Sequence, residues 1–220
     1  MKHLFFIFGI LVLLFSCNSC DPLGLKDKCK RDYLFSIPVS LESGLDTFYI
    51  GDTIFVNMSF PIEMEDVFTG DKFDLGDFPF NTEILLVKID QSPVSVSPGM
   101  VSYHATRGNL NILPLTGGTE AVQVQFENES GMFNFSCFII LERKGTFGIY
   151  YQSYFLDEFN GELEKGCKTN SVDVHYSLDL KNAETDTNFE LFQQSPDPKV
   201  TQVTKQTFDD IGAYAFVVIE

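Results

Sequence analysis

The sequence predicts an all-β fold: an antiparallel two-sheet β-sandwich, immunoglobulin-like or jelly-roll-like, with little helix. Two observations carry this expectation. Apolar residues recur at alternate positions in one segment after another, the period that sets all of them on one face of a strand. Turn residues part these segments at short intervals, and no stretch of a dozen residues carries a helical apolar stripe.

The segments follow one another along the chain. Tyr33, Phe35, Ile37, Val39 and Leu41 open the series. Pro38 cannot donate to a ladder, so this strand is expected at an edge or with a bulge. Gly51-Asp52 gives a turn signal before Ile54, Val56, Met58 and Phe60. Further alternations are Val122, Val124, Phe126; Phe133, Phe135, Cys137, Ile139, Leu141; and Phe147, Ile149, Tyr151. The connection Glu142-Arg143-Lys144-Gly145-Thr146 has the length of a hairpin loop, which predicts antiparallel pairing of 132–141 with 147–155. Val172, Val174, Tyr176, Leu178 and Leu180 form another full strand, and Tyr214, Phe216 and Val218 close the chain.

Of the 220 residues, 44% are hydrophobic and 21% charged, which excludes intrinsic disorder as the state of the whole. Residues 33–220 suffice for one substantial core. The formal net charge is −16, with 31 acids against 15 Lys and Arg. Binding nucleic acid requires basic residues that release condensed counterions, so nucleic acid is not an expected partner.

The N-terminus reads as an export signal. Lys2 precedes an unbroken apolar run from Leu4 to Phe15, long enough for a signal-peptide core and too short to span a bilayer. The run ends Leu14-Phe15-Ser16-Cys17, which resembles the lipobox of bacterial lipoproteins, with Phe15 bulkier than usual at its place. That resemblance implies cleavage of residues 1–16, lipidation of Cys17, and a firm anchor of two or three acyl chains. Residues 17–32 mix Pro, Gly and charges without periodicity and read as a tether.

Export places the remaining cysteines, Cys20, Cys29, Cys137 and Cys167, where disulfides persist. Four cysteines allow three pairings. Cys29 with Cys167 is the favoured one, because each lies a few residues before a strong strand and adjacent parallel strands would bring them together. Cys137 sits among Phe133, Phe135, Ile139 and Leu141, the setting of a buried inert thiol.

No catalytic motif appears: there is no HExxH, GxSxG, Walker loop or CxxC, and no catalytic, metal or cofactor site is assigned. His104 and His175, the two histidines beyond the leader, read as surface or strand positions. Glu158, Glu162 and Glu164 cluster in one loop and motivate an alternative reading as a carboxylate-dependent glycoside hydrolase. The stretch 62–77 brings Glu63, Glu65, Asp66, Asp71, Asp74 and Asp77 together, but it has no EF-hand spacing and reads as a long acidic loop held by Phe68, Phe73, Phe78 and Phe80. Tyr150 and Tyr154 share a strand face and are candidates for stacking against a ligand, whereas the absence of Trp weighs against a carbohydrate platform. Asp52-Thr53-Ile54 is similar to an O-glycosylation signal of exported Bacteroidota proteins.

The lipobox, YLFSIPVSL, DTFYIGDTIFV, EKGCKTNSVDV, SPDP and GAYAFVVIE together resemble a family of small Bacteroidota lipoproteins. The resemblance implies a scaffold with a landmark at Cys167, and no chemistry. The expectation is a non-enzymatic binding or structural module, lipid-anchored in the outer membrane on its periplasmic or cell-surface side, with a glycan or an envelope protein as partner. An accessory glycan-binding role belongs with the hydrolase as the alternative.

Overall fold

The computed structural model describes residues 29–42, 45–95, 99–114, 120–153, 163–164, 167–181 and 187–220. The expected leader, Cys17, Cys20, Tyr154, Glu158 and Glu162 lie outside the described residues.

Fourteen strands carry the described chain. The first seven are β1 (Cys29–Glu42), β2 (Thr47–Tyr49), β3 (Thr53–Pro61), β4 (Glu63–Glu65), β5 (Lys72–Asp74), β6 (Thr82–Lys88) and β7 (Val101–Arg107). The rest are β8 (Asn109–Pro114), β9 (Glu120–Gln125), β10 (Glu127–Glu129), β11 (Met132–Leu141), β12 (Gly145–Ser153), β13 (Cys167–Lys181) and β14 (Tyr214–Ile219). Three short helices, α1 (Phe189–Phe192), α2 (Pro198–Thr201) and α3 (Lys205–Asp210), separate β13 from β14.

Two six-stranded sheets pack face to face. The first runs β10-β11-β3-β1-β13, with β7 beside β10 on the same edge of β11. The second runs β2-β14-β12-β6-β9-β8, and β4 with β5 forms a small separate hairpin. The alternation read from the sequence is the core: the alternating set from Tyr33 to Leu41 in β1, the set from Ile54 to Phe60 in β3, and Phe135, Cys137 and Ile139 of β11 face inward, at most 1% exposed. Most pairings are antiparallel, but β1 with β13 and β2 with β14 are parallel, so both sheets are mixed.

Strand β1 begins at Cys29, four residues before the expected boundary. Its first turn of ladder is held by side chains: Asn170 Nδ2 and Ser171 Oγ each donate to Asp32 Oδ1 at 2.7 Å. The parallel register sets Cys29 opposite Cys167. Pro38 sits where β1 changes from edge to interior, because pairing with β3 starts only at Val39 opposite Met58. Contrary to expectation, β1 lies between β3 and β13 and carries no bulge at Pro38; its one shift in register against β13 falls between Arg31 and Asp32.

The 142–146 connection is not a hairpin. Strand β11 pairs with β3, β7 and β10, whereas β12 pairs with β6 and β14, so the chain arches from one sheet to the other. The backbone at the end of β11 is already committed: Leu141 N donates to Asp52 O at 3.0 Å, Gly51 N to Leu141 O at 2.7 Å, and Glu142 N to Met100 O at 3.0 Å. A second crossing lies where β7 leaves the first sheet and becomes β8 of the second through Gly108. That glycine has φ +70°, and a Cβ there would lie 2.5 Å from Gln125 O. Beside it the same chain returns from β9 of the second sheet to β10 of the first through Phe126.

The second sheet is covered on its outer side. Val87, Ile89, Ala213 and Ala215 form a small core with Phe192, Val200 and Phe208 of the helical segment. Gly148 lets Phe192 approach the sheet, since a Cβ there would meet its ring at 3.2 Å. Asp197 caps α2 by accepting from Lys199 N at 2.9 Å, and it also accepts from Val94 N at 2.8 Å.

Candidate functional site

The residues singled out from sequence fall in separate places. Tyr150 projects from the covered face of β12 and is half-buried against the helical core, not displayed to solvent. Cys137 is fully buried, and that burial pushes its thiol pKa up to about 12. His175 lies 3.7 Å from Asp210 on the surface, and His104 stands on the outer side of β7.

The acidic loop performs structural work. Asp66 is completely buried and accepts from Leu34 N at 2.9 Å, Thr69 Oγ1 at 2.7 Å and Phe68 N at 3.5 Å. Val67 N donates in turn to Leu34 O at 2.8 Å, so the loop pairs with the part of β1 that β3 has left open. Burial pulls the Asp66 pKa up, but the bonds from Leu34, Thr69 and Phe68, with the charge of Arg31, pull harder and hold it below the ordinary aspartate range. Arg31 lies over the rings of Tyr33 and Phe73 and bonds to Asp71 at 3.0 Å and to Glu164. Lys72 pairs with Glu63 at 3.2 Å, and Asp74 accepts from Gly76 N at 2.9 Å. No grouping of His, Cys, Asp or Glu suited to a metal ion occurs among the described residues. Phe73, Phe78 and Phe80 anchor the loop in the core, while Phe68 is exposed.

The outer face of the first sheet is the distinctive surface. In β3, even residues face the core and Thr53, Phe55, Asn57 and Ser59 face outward. Register with β11 then builds three cross-strand pairs in a row. Phe55 meets Phe138 with ring centroids 4.9 Å apart, Ser136 Oγ donates to Asn57 Oδ1 at 2.8 Å, and Ser59 Oγ donates to Asn134 Oδ1 at 2.9 Å. Such pairs are the unit of order on a sheet face. On the flanks, Glu42 and Ser40 of β1 stand opposite Phe55 and Asn57, and His104 of β7 stands opposite Phe138.

The middle of this strip is a trough. Ser40, Asn134 and Ser136 are 9%, 5% and 7% exposed, short side chains sunk between taller neighbours, whereas Phe138 is 39% exposed. Ser40 Oγ is buried without a hydrogen-bond partner. The bonds from Ser136 and Ser59 fix the amides, leaving the Asn57 Nδ2 group as a donor. Past Ser59 the strip runs into an open groove of about 550 Å³ lined by Pro38, Pro61, Met64 and Val67 together with Glu65 and the Lys72–Glu63 pair, where β1 and β3 splay apart. Pro38 and Pro61 both lack the N–H that would close the ladder there. No sequence signal points to this strip, because it exists only through the register of β3 on β11.

No protein-family model and no curated protein matches the chain. Among solved structures it is similar to the human F-spondin reeler domain, at 10% identity and a TM-score of 0.32, over 70% of this chain and 94% of that one. It is similar to the group B streptococcus pilus 2b backbone protein, at 12% identity and a TM-score of 0.25, over 56% and 54%. A non-cellulosomal cohesin from the archaeon Archaeoglobus fulgidus is similar at 9% identity and a TM-score of 0.24, over 64% and 91%.

Proposed function

We propose that this chain is a lipid-anchored, non-enzymatic module of the bacterial envelope that binds a ligand on the outer face of its first sheet. One observation carries the binding reading. The outer face of the second sheet is filled by Phe192, Val200 and Phe208, while the first presents an ordered, uncharged and partly aromatic strip on a chain of net charge −16. Solvent-facing strand positions without a partner have no need of such pairing, and exposed aromatic rings beside fixed amides suit recognition. The envelope address is supported by the apolar leader and by Leu14-Phe15-Ser16-Cys17.

The test uses the purified full chain and two arginine substitutions. Ser59→Arg fills the strip, and Gln194→Arg places the same charge on the exposed side of the helical segment. Co-sedimentation with polysaccharide, peptidoglycan and membrane-protein fractions of the source cell should give saturable binding to at least one. Ser59→Arg should weaken it about tenfold or more, and Gln194→Arg should leave it unchanged. Binding that is absent, or equal in both variants, refutes the face. Mass spectrometry of the native protein should show diacylglyceryl on Cys17 and residues 1–16 removed; an unmodified Cys17 refutes the anchor.

A further inference from the structure

Resting on that reading, we infer that the ligand of this face is an uncharged oligosaccharide, lying along β3 and β11 from the Phe55–Phe138 pair towards the groove beside Pro38 and Pro61.

The chemistry of the strip selects the class. Between Thr53 and Ser59 on β3, and between Asn134 and Phe138 on β11, no outward side chain is charged, although the chain holds 46 charged residues. The cation beside the strip, Arg107 opposite Ser136, is already paired with Glu127 and Glu129, and acids stand on the other flank at Glu42 and Asp179. A protein partner would seat a desolvated apolar or aromatic core at the centre of its interface. Here the centre is hydroxyl and amide, and the rings lie at one end.

A sugar chain answers both features. Its apolar ring faces stack on aromatic side chains, and its hydroxyls donate and accept in the same plane. The Asn57 amide supplies a donor. Beside it the Ser40 hydroxyl is buried and unpartnered beneath the strip. From Phe55 to Ser59 the rows extend about 13 Å along the strand, the length of a short oligosaccharide and not of a single ring.

The experiment titrates the full chain, in a detergent without a sugar headgroup, with neutral tetrasaccharides of the β-glucan and mannan types. A tetra-uronate of equal length is the charged control. Saturation-transfer NMR and calorimetry should detect at least one neutral tetrasaccharide and weaker or no binding of the uronate. Phe138→Leu keeps apolar volume but loses the ring face and should weaken binding about five- to tenfold, with Phe138→Tyr restoring it. Asn57→Ala should weaken it by a similar factor, and melting temperatures show whether each variant is folded. If no neutral tetrasaccharide binds while envelope-fraction binding still falls with Ser59→Arg, the saccharide inference is overturned and the binding face stands. Sugar binding that ignores Phe138→Leu overturns the placement.

Discussion

Asp66→Ala gives the sharpest test of how the acidic loop is held. The wild-type carboxylate accepts from Leu34 N, Thr69 Oγ1 and Phe68 N and is fully buried. Alanine leaves the first two donors without their charged acceptor. Hydrogen bonds to a charged group contribute about 1.5–3 kcal/mol each when buried, and the Leu34 and Thr69 sites are only partly so. Arg31, 3.9 Å away and better bonded to Asp71 and Glu164, adds little. The expected loss is therefore about 2–4 kcal/mol, a fall in melting temperature of roughly 5–15 °C for a domain of this size. Differential scanning calorimetry at pH 7 measures it, with Asp66→Asn, which keeps one acceptor oxygen, falling in between. Because the folded-state pKa is held below the ordinary range, the contribution is present above about pH 4 and fades as the pH drops through the lower folded value. Wild type and Asp66→Ala should accordingly converge in acid. A loss under about 0.5 kcal/mol at pH 7, or a gap that widens on acidification, refutes the role assigned to Asp66.

Two further outcomes follow from the same geometry. Non-reducing peptide mapping of the protein purified under oxidising conditions should join Cys29 to Cys167, which are paired in register across parallel strands, and leave Cys137 unlabelled by thiol reagents until unfolding. Closing a loop of that length is worth about 5 kcal/mol in the chain-entropy account, so Cys29→Ser should lower the denaturation midpoint in oxidising buffer and not in reducing buffer. A map pairing Cys20 with either cysteine refutes this. Gly108→Ala forces a Cβ towards Gln125 O at positive φ and should cost about 2–4 kcal/mol in urea unfolding; a neutral effect refutes the tight crossing.

The strands that read clearly in sequence are those with one buried face. In β1, β3 and β11 the alternation survives because every second residue meets water or a polar neighbour. Strand β6 is illegible for the opposite reason: Val87 is buried under the helical segment and Leu85 is buried as well, while Ile84 and Leu86 face the main core, so the run carries no period. Helices of four to six residues are too short to show a 3.6-residue stripe. The residues of the 142–146 connection have hairpin chemistry, yet nothing in them states whether the chain stays in its sheet. Asp66 looks like one acid among many, and only the course of β1 shows why it is buried. The strip on the first sheet is hidden for the same reason, since Phe55 and Phe138 lie far apart in the chain and meet through register.

The two crossings at Gly108 and Phe126 give the sandwich a spine. Both join the sheets covalently at one corner, so the layers there cannot slide past one another. On the β13 side the chain also crosses, from β12 into β13 and from β13 through the helices into β14, and side chains add to the joint: Tyr176 Oη donates to Thr82 Oγ1 at 3.1 Å and shares a hydrogen bond with Ser153 Oγ, while Gly212 lies against Tyr176. The two layers are thus laced together at both margins, and the strip between Phe55 and Phe138 rides on a face whose backing is fixed from either side.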